Sequence, residues 1–291
     1  MRGGSRSLRV RSTVVGLGLV GAFAVAALGA PLIAPHDPYQ VPERLAANSL
    51  AAPSLTFFFG TDLLGRDLLS RVLYGARVSL LLGVGAELFA VVIGATLGLL
   101  AGYYGRWVDA GLMRLTDSVM AFPSLVLAIG LMAVFQEPGL EKVFLVLVLL
   151  GWTTIARVVR GEVLALKERE YVRAAQAVGA RDVAILLRHL LPNCVGPLSV
   201  AATVGVAGNI LAEAGLSFLG LGAQPPTISW GAMLAEGQSF LTHAPWVAVF
   251  PGLALMLTVL GINLLGDGLR DLLDPRLASR GRLPAGLPSG R

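Results

Sequence analysis

Residues 79–101 read SLLLGVGAELFAVVIGATLGLLA, an apolar run whose single charged side chain is Glu87. A helix needs about 20 such residues to cross a ~30 Å hydrocarbon core, so this stretch is long enough to span a bilayer. It is also rich in glycine and alanine, which let neighbouring helix backbones approach closely inside a membrane. Five further apolar segments accompany it: Val14 to Ala34, Ser118 to Phe135, Val143 to Val159, Val195 to Leu219 and Trp246 to Leu265. Between them the chain is polar or broken by Gly and Pro, as at Gln224-Pro225-Pro226. The expected fold is an all-α integral membrane protein with six transmembrane helices. Composition agrees: 55% of the 291 residues are hydrophobic and 14% charged, against roughly 25% charged in a soluble domain. The mean hydropathy is +0.74.

Orientation follows from Lys and Arg, which accumulate on the cytoplasmic side of short loops. With the N-terminus inside, 18 of the 23 basic residues fall on inside segments and 5 on outside ones. The inside set comprises Arg2, Arg6, Arg9, Arg11, Arg106, Arg114, a central group from Arg157 to Arg188, and a tail group from Arg270 to Arg291. The outside set is Arg44, Arg66, Arg71, Arg77 and Lys142. Both termini are therefore expected in the cytoplasm, and the net charge of +5 is read as a topology signal, not as a nucleic-acid surface. The expected organisation is a cytoplasmic N-terminus with the first helix over 1–34, an extracytoplasmic segment over 35–78, a transmembrane domain over 79–266 and a cytoplasmic tail over 267–291. The first segment also has the form of a secretory signal, with Ala27-Leu28-Gly29-Ala30 as a cleavage site. Its full-span length favours an uncleaved helix.

No catalytic constellation emerges. His36, His189 and His243 are scattered, the lone Cys194 has no partner, and neither a phosphate-binding glycine loop nor a zinc-protease motif is present. No cofactor and no metal are expected in this chain. Glu87 and Glu213 lie within apolar segments, where a carboxylate is either functional or a neutral group hydrogen-bonded to a neighbouring helix. The outside stretch from Gly60 to Arg77 pairs Asp62 and Asp67 with Arg66 and Arg71 as an exposed, salt-bridged cap.

The inside loop from Arg157 to Asn193 is too long for a simple connection. Glu168 to Val178 holds good helix formers, and Gly179 breaks the helix as a residue free to take positive φ. Asp182 can cap a second helix, in which Val183, Leu186, Leu187 and Leu190 recur at i, i+3, i+4 and i+7, with Pro192 closing it. A helix pair with small residues at its bend suits docking in another protein's cleft. A solvated basic connector held at the lipid headgroups is the competing reading.

The run Glu170-Tyr171-Val172-Arg173-Ala174-Ala175-Gln176-Ala177-Val178-Gly179-Ala180, with Arg188-His189-Leu190-Leu191-Pro192-Asn193, resembles the EAA loop of ABC-importer permeases. Other stretches narrow the match: Gly60-Thr61-Asp62 with Gly65-Arg66-Asp67, Ala121-Phe122-Pro123, Leu216-Ser217-Phe218-Leu219-Gly220-Leu221-Gly222 with Ser229-Trp230-Gly231, and Leu272-Leu273-Asp274-Pro275-Arg276. Together they look like the C-type permease subunit of dipeptide, oligopeptide and nickel importers, over roughly Gly60 to Arg276. Arg173 stands where the motif has glutamate, and Arg181 where a capping serine is common.

The resemblance implies a type I, MetI-like importer permease of a bacterial or archaeal plasma (inner) membrane. It would pair with a homologous second permease, two cytosolic ATPases and an extracytoplasmic solute-binding protein. ATP would be bound and hydrolysed on the ATPases. The EAA loop, over 160–193, would couple to them through Glu170, Tyr171, Ala174, Ala175, Gly179, Ala180, Leu191 and Pro192. Gate or pathway positions would be Ala201, Gly205, Asn209 and Glu213, and Gly222, Gln224 and Trp230 would touch the binding protein. Ordinary helix packing explains the small gate residues equally well, and interfacial anchoring explains Trp230. Dipeptides or oligopeptides are the expected solutes, with nickel or another small solute as the alternative within the family. A stand-alone proton-coupled transporter using Glu87 or Glu213 and a membrane enzyme are the competing classes.

Overall fold

The computed structural model describes residues 3–41, 48–135 and 137–273, with the side chains of residues 3–11 excepted. Arg2, Arg44 and the tail from Asp274 to Arg291, including Pro275, Arg276, Arg280 and Arg282, lie outside the described residues.

The described chain is helical throughout, apart from connecting segments and an isolated bridge between Thr61 and Asp67. Ten helices follow in order: α1 (Gly3–Ile33), α2 (Leu68–Tyr104), α3 (Arg106–Met120), α4 (Ser124–Val134), α5 (Leu140–Leu166), α6 (Glu170–Ala177), α7 (Asp182–Ile185), α8 (Leu191–Phe218), α9 (Trp230–Gln238) and α10 (Trp246–Leu273). A π turn over Leu186–Leu190 joins α7 to α8. Helices α1, α2, α5, α8 and α10 are each long and apolar enough to cross a membrane, and the α3–α4 pair makes a sixth crossing if it counts as one bent span. Their outer faces are apolar too: Leu32 is 92% exposed and Leu81 71%, as expected where the surrounding solvent is lipid.

The centre of the bundle is the pairing of α2 with α5. It follows from a small-residue stripe along α2, in which Ala86, Ala90, Gly94, Gly98 and Gly102 repeat every fourth residue and are all buried. A Cβ placed on Gly94 would stand 2.5 Å from the Trp152 carbonyl oxygen, and one on Gly98 2.5 Å from that of Ala156. The two backbones therefore approach as closely as glycine allows. Helix α8 packs on α2, α5 and α10, and α1 lies along α10.

Five of the expected spans sit where the apolar runs placed them, but their helices are longer. Helix α2 starts at Leu68 instead of Ser79, because Asp67 caps it by accepting from the Ser70 N–H (2.9 Å) and hydroxyl (2.6 Å). The segment over 35–78 is accordingly helical in its last part. Helix α5 covers Leu140–Leu166 and α10 runs to Leu273, eight residues past Leu265. The span expected over Ser118 to Phe135 is corrected: it is two helices bent by 89°. The break falls at Ala121-Phe122-Pro123, where Pro123 lacks an N–H and disfavours helical geometry in the residue before it. At 11 residues α4 reaches only about 17 Å.

The bundle has two distinct ends. One, the cap end, holds residues 34–41, 48–67 and 219–245 over a core of Leu68, Val72, Trp230, Met233 and Val247. The other, the loop end, holds α6, α7 and the π turn on a core of Val163, Val172, Ile185, Leu190 and Cys194.

Candidate functional site

At the loop end, Gly179 adopts φ +79°. Its N–H donates to the Gln176 carbonyl and the Ala180 N–H to the Ala175 carbonyl, each at 3.0 Å. This is a Schellman ending for α6, as the glycine predicts. Val172 is wholly buried against Ile185 and Leu190, and Ala175 and Ala180 pack beside it. On the outer side Glu170, Tyr171, Ala174 and Gly179 are exposed, and Val178 is 84% exposed. Val183 and Leu187 join this bare edge, so the expected four-residue stripe divides: Leu186 and Leu190 hold the core while the other two face outward. Leu191 is half-buried and Pro192 exposed.

Two details of this loop are corrected. Pro192 does not close the second helix. It sits in the first turn of α8, where its missing N–H costs nothing, and the π turn carries the chain directly from the loop into the fifth span. Asp182 is not a cap either: Arg181 holds that position without a side-chain bond, and the Asp182 carboxylate accepts from the Tyr103 hydroxyl at 2.8 Å. The departure at Arg173 is met locally by an ion pair with Glu168.

Further links tie this end together. Arg160 grips Asp109 of α3 through two bonds of 2.9 and 2.6 Å, Arg157 reaches Asp117 at 2.7 Å, and the Lys167 ammonium donates to the Gly102 carbonyl at 2.9 Å. Sequence reading missed these because the pairs join residues 40 to 65 positions apart.

Midway along the bundle is a cavity of about 850 Å³ between α2, α4, α5 and α8, bordered by the α3–α4 bend. Such a volume admits a small organic solute. Of the four proposed pathway residues, Ala201, Gly205 and Asn209 line it and Glu213 does not. Glu213 is fully buried beside it, accepting from the Ser79 hydroxyl (3.0 Å) and the Ser217 hydroxyl (2.8 Å), which is how a carboxyl group is accommodated between packed helices. Glu87 does line the cavity, held by the Asn209 side-chain amide at 3.0 Å. The other walls come from Phe122, Leu125 and Thr154. Phe122, in the Ala121-Phe122-Pro123 break, borders the cavity while staying 59% exposed.

At the cap end the ion pairs form around a buried Asp62 and Arg71, with Arg66 half-buried and Glu236 at the surface. Asp62 accepts from Arg66 Nε at 2.7 Å and lies 3.4 Å from Arg71 Nε, and Glu236 of α9 reaches both arginines. Asp67 meets Ser70 and His36 instead of an arginine. Trp230 is corrected as a partner contact and as an interfacial anchor. It is 0% exposed, its indole N–H donates to the Val72 carbonyl at 2.9 Å, and Phe23 stacks on it edge to face. Gly222 is also buried, whereas Gln224 is partly exposed beside Pro225, Pro226 and Thr227.

Membrane-length helices that frame a solute-sized cavity, open on the side where Phe122, Val204 and Leu211 are exposed, are the build of a membrane transport protein. The chain belongs to the family described as "Binding-protein-dependent transport system inner membrane component", whose pattern matches residues 94–279. It is 43% identical to a dipeptide transport system permease protein of Alkalihalophilus pseudofirmus, over 91% of this chain and 86% of that one. It is 48% identical to a glutathione transport system permease protein of Pectobacterium atrosepticum, over 78% of this chain and 75% of that one. A solved structure of the MetNI methionine ABC transporter, in inward-facing conformations, matches 70% of this chain and 96% of its own with a TM-score of 0.55 at 20% identity. The fold is that of a MetI-like ABC importer permease, and the protein is an inner-membrane permease subunit of an ABC transport system.

Proposed function

We propose that this chain forms half of the translocation pathway of an ATP-driven importer of dipeptides or oligopeptides. The observation that carries the reading is the cavity, which has the volume of a short peptide and is bounded by the five elements from α2 to α5 and α8. The 43% identity to a dipeptide permease supports peptides as the solute class. A second, homologous permease would complete the pathway, a binding protein would deliver the solute at the cap end through the Gln224–Thr227 segment, and two ATPases would dock on the bare edge of α6. That edge offers Tyr171, Ala174, Val178 and Gly179, and the unbroken passage through Pro192 gives a rigid lever from loop to cavity. ATP would be hydrolysed on the partners. The basic-residue balance supports a cytoplasmic position for the loop and both termini, and the packing of α1 along α10 supports its retention as an uncleaved helix.

The test uses single cysteines in a Cys194→Ser background, within the complete complex in proteoliposomes. Gly208→Cys lies on the cavity wall, where an added Cβ meets open space; Leu81→Cys lies on the outer face. Maleimide modification at position 208 is expected to block uptake of labelled dialanine, and modification at position 81 to leave it intact. Equal uptake after modification at both positions contradicts the reading.

A further inference from the structure

We propose that Glu87 is the solute-reading group of the cavity: its carboxylate, held in place by Asn209, receives the ammonium group at the amino end of the passing peptide. The inference rests on the cavity being the solute path.

Glu87 is 97% buried yet belongs to the cavity wall. One carboxylate oxygen accepts from the Asn209 amide at 3.0 Å, and among the described residues no group donates to the other. The carboxylate lies flat against Gly205, where any Cβ would collide with its carbon and both oxygens. That glycine, taken from sequence as a pathway residue, thus makes the space in which the carboxylate sits. The residues lining the cavity include no Lys, Arg or His, so the protein brings no cation to this anion. Elsewhere the wall is mostly apolar, with Ser124, Thr153 and Thr154 as its hydroxyl-bearing residues. Against so apolar a wall an unpaired carboxylate is costly, and a ligand ammonium that can donate to its free oxygen is strongly favoured over a neutral group. Glu213 provides the contrast, since both its oxygens are occupied by serine hydroxyls and it is shut off from the cavity.

The chemistry that fits is a primary ammonium on a small solute, with the apolar walls receiving its side chains. A peptide's amino end meets this requirement and a bare divalent metal does not, because a lone carboxylate with no further anionic or imidazole ligand on the wall is a poor metal site.

The experiment labels the wild-type complex with dicyclohexylcarbodiimide, which attacks carboxyl groups in apolar surroundings, and reads adducts at Glu87 by mass spectrometry, with Glu213 as internal reference. Millimolar dialanine is expected to slow labelling at Glu87 about tenfold, and N-acetyl-dialanine, which lacks the ammonium, to leave it unchanged. Absence of protection, or equal protection by both compounds, overturns the inference. Uptake of dialanine by the same wild-type complex separates the two levels: uptake without protection sinks this inference alone, and no uptake sinks the permease reading with it. Variants supply a second readout. Glu87→Asp keeps the charge and Glu87→Gln keeps the shape and a hydrogen bond to Asn209. Asp is expected to retain at least tenfold more uptake than Gln, and the reverse order would mean that the side chain is structural.

Discussion

Replacing Gly179 tests how the bare loop works, because its structural role is confined to the backbone. At φ +79° an added Cβ would meet no atom within 4 Å, so a substitution acts through conformation alone. A non-glycine residue in the left-handed region costs about 1–2 kcal/mol, and asparagine less than most. Proline is far worse: its ring fixes φ near −65° and it removes the N–H that donates to the Gln176 carbonyl. Losing that bond together with the Schellman turn amounts to about 3 kcal/mol, or roughly a hundredfold in the fraction of loops that keep their docking shape. The core beneath, from Val172 to Cys194, is untouched, so the spans still fold. The assay is ATP hydrolysis stimulated by loaded binding protein in the reconstituted complex. Activity should fall in the order Gly, Asn, Ala, Pro, with Gly179→Pro about a hundredfold down while the complex is recovered in normal yield. Normal stimulation in Gly179→Pro would refute the reasoning.

Other positions give independent checks. Gly98→Val forces a branched side chain onto the Ala156 carbonyl, so α2 and α5 must separate; thermal unfolding should fall by several degrees, whereas Gly111→Val, open on all sides, should cost much less. Asp62→Asn removes one of the two anions beside the buried Arg71, leaving Glu236 at 3.4 Å, and weakens the acceptor of Arg66 Nε; a loss of about 1–3 kcal/mol is expected by denaturant titration in detergent. Trp230→Phe removes the indole N–H bonded to the Val72 carbonyl and should lower stability by about 0.5–1.5 kcal/mol without changing the affinity for the binding protein; a lost affinity at unchanged stability would return Trp230 to the docking surface.

Much of the architecture was legible in the sequence because each span is a continuous apolar run. Helix ends were less so, since caps such as Asp67 extend a helix well into polar sequence. The α3–α4 bend lay hidden in an uninterrupted apolar stretch, although Pro123 marked it locally. Gly179 was readable because a positive-φ helix ending needs glycine, while Pro192 was ambiguous because proline suits a helix start as well as an ending. Among site residues, Ala201, Gly205 and Asn209 do share the cavity with one another. Glu87 could be flagged as an intramembrane carboxylate, but its partner Asn209 is 122 residues away, and no local pattern encodes such a contact. Trp230 misled because an aromatic in a loop reads as exposed, yet its loop folds back onto α2.

The most direct measurement of the central claim is uptake of labelled dialanine into proteoliposomes holding this chain with its partner permease and ATPases, omitting one component at a time. The account predicts uptake only when this chain, the ATPases, ATP and the binding protein are all present. Uptake by this chain alone under a pH gradient, without ATP, would contradict it.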